Sequence, residues 1–276
     1  MTTSSTALPP IAFVGGGNMA SAIIGGLRAQ GLPATRIEVV EPYAEARARL
    51  AAQFGITAME HAGPALQRAG LVLWAVKPQT FREAAAAARP YTADALHLSV
   101  AAGIRSDSIA AWLGTDAVVR SMPNTPALVG KGMTALFARP RVTAAQRTLV
   151  EQVIATTGDW LWIEAEQQLD AVTALSGSGP AYVFYFLEAM AQAGSELGLT
   201  PAQAYRLAVG TFAGAAALAQ ASSDPPTVLR ERVTSKGGTT HAAVTAMEQA
   251  GVKQAFVQAM HAAARRAAEL GDEFGR

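Results

Sequence analysis

Two short stretches have residue types and spacing that could do chemistry, and they lie near opposite ends of the 276-residue chain. Residues 233–241, Val-Thr-Ser-Lys-Gly-Gly-Thr-Thr-His, form a hydroxyl-rich turn with adjacent Gly237 and Gly238, running into an amphipathic helical pattern. Successive backbone N–H groups in such a turn can converge on an anion, and the helix dipole adds partial positive charge there. The same residues also suit an ordinary capped helix start. At the other end, Gly15-Gly16-Gly17-Asn18-Met19-Ala20 closes the strand-like run Ile11–Gly15, with Val14 leading into the turn, and opens a helix-like run. It fits the dinucleotide pattern G-x-G-x-x-G/A. Gly15 permits the tight turn, Gly17 lets the backbone approach a pyrophosphate, and Ala20 lets the helix pack on the sheet. A redox cofactor at one end and a small-anion cradle at the other point to an enzyme that reduces a small acid.

Further candidates stand where strands end. Glu41 follows the second strand-like run, where a carboxylate can accept the ribose hydroxyls of NADH and would repel the 2′-phosphate of NADPH. Arg47 and Arg49 in the next helix pull the other way, and Glu41 is equally readable as a solvated loop residue. Ala75-Val76-Lys77-Pro78 closes a continuous apolar run and should pass a cofactor with its backbone; Lys77 reads either as a contact to ribose or substrate or as a plain strand exit. In Met122-Pro123-Asn124-Thr125-Pro126, prolines on both sides of Asn-Thr fix a loop that could hold the Asn124 amide near a nicotinamide, or is simply a rigid turn. His241 falls on a different helix face from Thr240 and reads as a surface or structural residue. The Ser176–Pro180 turn has no base at a suggestive spacing and reads as a helix start.

The elements that must position these residues alternate through the first half. Strands are expected at Ile11–Gly15, Ile37–Glu41, Leu71–Val76, Leu96–Ala101, Ala117–Met122, Met133–Phe137 and Trp160–Ile163, with helices at Met19–Gln30, Ala44–Phe54 and around Ala62–Ala69. This alternation implies an α/β fold, a Rossmann-type doubly wound parallel sheet. After Glu164 the strands stop, and helices are expected at Pro180–Leu197, Pro201–Ala221, Pro225–Val233, Thr239–Ala250 and Val252–Leu270. The expected divisions are a flexible tail over 1–10, a dinucleotide-binding domain over 11–165 and an all-α substrate-binding and dimerisation domain over 166–276. Several late helices are apolar around much of their circumference, which favours burial against a second subunit in a homodimer.

Composition narrows the function classes. The formal net charge is +1 with scattered charges, and no basic stripe interleaved with aromatics suggests nucleic acid. No apolar run has the length of a membrane span. The chain contains no cysteine, so disulfides, iron–sulfur clusters and thiol catalysis are excluded, and its four histidines show no metal-ligand spacing. Neither a positively charged start nor an apolar signal core is present, so a cytoplasmic location is expected.

Taken with Ser176-Gly177-Ser178-Gly179-Pro180-Ala181-Tyr182 and Val233–Thr240, the three motifs at 15–20, 75–78 and 122–126 resemble the Δ1-pyrroline-5-carboxylate reductase family, in order and separation, from about Ile11 to Leu270. The resemblance implies reduction of 1-pyrroline-5-carboxylate to L-proline by NADPH or NADH, the last step of proline biosynthesis. It also implies a Rossmann domain and a helical domain that interlocks with a second subunit, often within larger assemblies of dimers. By the same resemblance, Ser235, Gly237, Gly238, Thr239 and Thr240 hold the substrate carboxylate, with the Thr240 side chain beside the ring nitrogen. Lys236 stands where many members have proline, and His61-Ala62 where many have an asparagine near the cofactor.

A protonated cyclic imine is already electrophilic, so placement matters more than acid–base power. Thr240 is accordingly expected to orient the imine and relay a proton. A β-hydroxyacid dehydrogenase would need a lysine acting on an alcohol, and the helical domain offers only Lys236 and Lys253 outside any such motif. A non-catalytic dinucleotide sensor is the other alternative.

Overall fold

Apolar residues at alternate positions of short strands build a sheet that is buried on both faces. In the computed structural model, which describes residues 8–275, seven strands run β1 (Ile11–Val14), β2 (Ile37–Val40), β3 (Leu71–Trp74), β4 (Leu96–Ser99), β5 (Val118–Met122), β6 (Gly132–Ala138) and β7 (Gly158–Trp162). Their order in the sheet is β2-β1-β3-β4-β5-β6-β7. One face packs Ile11, Phe13, Leu71, Leu73, Leu96 and Leu98 under α1 (Asn18–Ala29) and α2 (Ala44–Phe54), and, further along, under α5 (Ala144–Ile154). The other packs Ala12, Val14, Val72 and Trp74 under α3 (Pro78–Ala88) and α4 (Ser106–Leu113). This alternation within each strand is the period of two expected of strands covered on both sides.

The expected all-parallel sheet needs one correction. β6 runs antiparallel to β5, with Met122 opposite Ala135 and Val119 opposite Ala138. The connection between them is a proline-bounded 3-10 turn, Thr125–Val129, with no helix to carry the chain back across the sheet, so it can only return antiparallel. The crossover through α5 then restores parallel pairing of β6 with β7.

The start of the chain also differs from expectation. Of the tail expected over 1–10, residues 1–7 lie outside the described residues. Leu8 packs against the core, and the Pro10 carbonyl accepts from the Gly70 N–H at 2.9 Å, so structure begins before Ile11.

The compact units do not divide near 164–168. One holds the chain up to Ser178 together with the segment from Ala263; the other is Gly179–Ala262. Buried charge explains part of this. The Glu166 carboxylate accepts from Arg120 on β5 at 2.6 Å, and from the Ser106 N–H and hydroxyl at 2.6 Å each. Just beyond, Leu169 is buried in the short helix α6 (Gln168–Val172), so the chain after β7 stays with the sheet. The second unit holds α7 (Gly179–Glu196), α8 (Pro201–Ala221), α9 (Pro226–Arg232), α10 (Thr239–Gln249) and the beginning of α11 (Val252–Phe274). An aromatic cluster joins α7 to α11, with Phe256 edge-on to Tyr182 at 5.6 Å and to Phe186 at 5.7 Å. Yet only Ala204 and Ala208 of the 21 residues of α8 are buried, and none of α10. Phe184, Tyr185, Leu207 and Leu218 face outward.

Candidate active site

In the sheet order the chain reverses direction of travel between β1 and β3, and the loops leaving these two strands feed helices on opposite faces. Such a switch point opens a crevice at the carboxyl edge, where ligands of doubly wound folds bind. The glycine loop and Ala75–Pro78 meet there. Gly15 has φ +97°, and a Cβ on it would lie 2.5 Å from the Ala75 carbonyl oxygen, so backbone and packing both demand glycine. Gly16 is also closely packed: a Cβ would lie 2.7 Å from Leu50 Cδ1, a side-chain methyl that would have to shift.

Gly17 is different. Its φ is −74°, which any residue can adopt, and an added Cβ would meet no described atom within 4 Å. Neither backbone conformation nor packing demands glycine here, and the space beside it is open to a ligand. Gly17 is also the N-cap of α1 and makes no side-chain cap. Gly17 and Asn18 are exposed, Met19 is half-buried, and the first-turn N–H groups of α1 are available to an anion. These residues fit the pyrophosphate of a dinucleotide.

Glu41 has a geometry other than the one expected. Its carboxylate is buried and accepts from the Gly16 N–H at 2.7 Å and from the Tyr43 N–H at 2.9 Å, so it braces the glycine loop. The carboxylate is thus committed to main-chain N–H groups of the loop, an engagement the sequence alone did not suggest. Arg47 does not offer an open guanidinium: it donates to the carbonyls of Glu41 and Pro42 and pairs with Glu60. Lys77 caps α3 ahead of Pro78 with its side chain exposed, beside half-buried Ala75 and Val76.

Asn124 is likewise engaged by protein. Its Oδ1 accepts from the Met133 N–H and its Nδ2 donates to the Ser176 carbonyl. Ser176 gives its hydroxyl to the Val172 carbonyl at 3.2 Å and lies in a π-helical turn, Thr173–Gly177. Sequence reasoning did not find this turn, nor the close packing at Gly16. The run of three glycines at 15–17 was the available signal for the second; the first depends on contacts between residues 52 apart.

The cradle at 233–241 lies in the other unit. Gly237 has φ +76°, and Gly238 is the N-cap of α10 with no side-chain cap, its N–H donating to the Ser235 carbonyl at 3.0 Å. A Cβ on Gly238 would lie 2.6 Å from Ser235 Oγ, so a larger residue would have to turn that hydroxyl away. The capped helix start, the plainer alternative, is absent: the hydroxyls expected to cap α10 do not. Ser235, Thr239 and Thr240 are exposed around the open helix start, and His241 is exposed beyond them. The open helix start gives these residues the geometry to receive an anion.

The family described as pyrroline-5-carboxylate reductase dimerisation matches residues 166–270, and that described as NADP oxidoreductase, coenzyme F420-dependent, matches residues 10–103. A pyrroline-5-carboxylate reductase of Pseudomonas aeruginosa is 46% identical over 97% of this chain and 99% of its own. This chain belongs to the pyrroline-5-carboxylate reductase family. Among solved structures, the reductase of Coxiella burnetii is 36% identical with a TM-score of 0.88, covering 95% of this chain and 98% of its own. The Plasmodium falciparum enzyme, solved with NADP bound, is 25% identical with a TM-score of 0.86 over the same shares. As in the family, the α/β sheet precedes a helical dimerisation region, which accounts for the outward-facing apolar residues of α7 and α8. Among the described residues no helix is long and apolar enough to cross a membrane.

Proposed function

We infer that this chain reduces 1-pyrroline-5-carboxylate to L-proline with NADPH or NADH, working as a cytoplasmic homodimer that can build larger assemblies. Likeness to reductases of that name along nearly the whole chain carries this reading, and the local geometry supports it. The first-turn N–H groups after Gly17, with Asn18 and Met19, would hold the pyrophosphate, and Ala75–Pro78 would line the cofactor on the neighbouring loop. The dinucleotide, when bound, supplies the hydride.

The chain's own work is placement. The N–H groups of Thr239 and Thr240, with the Ser235 hydroxyl and the turn at Gly237 and Gly238, would grip the substrate carboxylate. The Thr240 hydroxyl would then accept the imine N–H and orient the ring. A protonated imine needs no strong acid, which fits a cradle built from hydroxyls and main chain.

The test is a mixture of purified protein, NADPH or NADH, and pyrroline-5-carboxylate, followed by nicotinamide absorbance and proline analysis. Cofactor oxidation matched by proline is expected. Binding of the dinucleotide without proline formation would reject the reading.

A further inference from the structure

The Asn124 amide joins parts of the sheet's carboxyl edge that are distant in sequence. Nδ2 donates to the Ser176 carbonyl at 3.0 Å, and Oδ1 accepts from the Met133 N–H at 2.9 Å. The amide's orientation follows from chemistry: a carbonyl can only accept and an N–H can only donate, so the flipped side chain would pair like with like. Ser176 sits in the π-helical turn Thr173–Gly177, which the Ser178 N–H closes onto the Thr173 carbonyl at 2.8 Å. Single π turns are rare and concentrate at functional sites.

A second contact fixes the same turn. Gly177 lies so close to the Met122 side chain that a Cβ would overlap Met122 Cε. Met122 ends β5 and Asn124 follows it, so one short segment holds the turn both by a hydrogen bond and by packing. The chain enters the second compact unit immediately afterwards, at Gly179.

We propose that Asn124 is a positioning residue for the reduction: it sets the place of Ser176-Gly177-Ser178 at the carboxyl edge without itself contacting cofactor or substrate. Misplacement of an active-site wall by about 1 Å can lower turnover 100-fold, so a single fastening amide can matter greatly. The inference rests on the cofactor occupying the β1/β3 switch point, as proposed above.

Asn124→Asp isolates the bond in question, since it keeps an acceptor for Met133 but turns a carboxylate toward the Ser176 carbonyl. We expect kcat for the cyclic imino acid to fall about 10- to 100-fold. NADPH affinity, titrated by fluorescence without substrate, should stay within about twofold, while amide hydrogen exchange at 176–178 accelerates well below the unfolding temperature. Gly177→Ala should give the same pattern by driving the turn off Met122, and adding Met122→Ala should restore part of the lost kcat. This pair decides the matter if Asn124→Asp does not fold. Unchanged kcat and exchange would overturn the proposal. So would a fall in NADPH affinity of roughly tenfold or more, which would make the amide a cofactor ligand. Gly15→Ala, run in parallel, should lose NADPH affinity with exchange at 176–178 unaltered. Retained affinity there overturns the cofactor placement and the proposal together; failure confined to Asn124→Asp leaves the cofactor placement standing.

Discussion

Glu41 Oε2 accepts the Gly16 N–H at 2.7 Å, tying the end of β2 to the turn that follows β1. The other carboxylate oxygen takes the Tyr43 N–H. Glu41→Ala would strand both donors, and an unsatisfied buried donor costs about 1–3 kcal/mol. Urea unfolding should show a loss of that order, and NADH and NADPH affinities should weaken in parallel. A change confined to one cofactor would instead mean that Glu41 reads the ribose.

The glycines of the loop should separate by role. Gly15→Ala meets the Ala75 carbonyl and a left-handed backbone, so it should destabilise the fold by about 1–3 kcal/mol as well as abolish tight cofactor binding. Gly17→Ala meets no described atom, so stability should stay within about 0.5 kcal/mol while dinucleotide affinity falls. Paired measurements of unfolding and NADPH titration check this; an affinity unaffected at Gly17 would contradict the anion site.

His97 contributes a loss of stability on acidification. Its Nδ1 accepts from Trp74 Nε1 at 3.1 Å, and the ring is buried beside the Thr92 backbone. Burial pushes its pKa from 6.5 down to about 4. As pH falls, the unfolded chain therefore binds the proton first. The contribution of this site is complete above about 6.5, declines as pH falls toward about 4, and levels off below. The loss is on the order of 3 kcal/mol. In His97→Leu the urea midpoint should depend less on pH across that window, even if the variant is less stable throughout. An unaltered slope would contradict the assignment.

Removing apolar character from the outer face of the helical unit should weaken the dimer. Phe184 and Leu207 are each 58% exposed in one copy of the chain, and α8 buries too little of itself to stand alone. In Phe184→Glu with Leu207→Glu, light scattering should show monomer or concentration-dependent loss of the dimer, with thermal stability reduced at low protein concentration. A dimer as stable as the wild type would place the interface elsewhere.

What the sequence revealed, and what it hid, follows from the range of the interactions. The strand cores at Ile11–Val14 and Leu71–Trp74, and the helices Ala44–Phe54 and Pro201–Ala221, were legible because periodicity and prolines act locally. The glycine loop was legible because its demands fall on consecutive residues. The antiparallel turn of β6 was not, since alternating strands and helices do not reveal a missing crossover. Glu41 and Asn124 were singled out, but their main-chain partners were not foreseen. Each side chain satisfies main-chain groups brought near by tertiary structure, at separations of 25 and 52 residues.

Thr240 stands at the open start of α10 with an exposed side chain, and the central claim is that this cradle presents a cyclic imine for reduction. The most direct measurement compares wild type with Thr240→Ala in NADPH binding and in kcat/KM for pyrroline-5-carboxylate. The expected result is unchanged cofactor affinity with a loss of roughly one to three powers of ten in kcat/KM, the range of a missing hydrogen bond or proton relay at the reacting nitrogen. Wild-type kcat/KM in Thr240→Ala would contradict it.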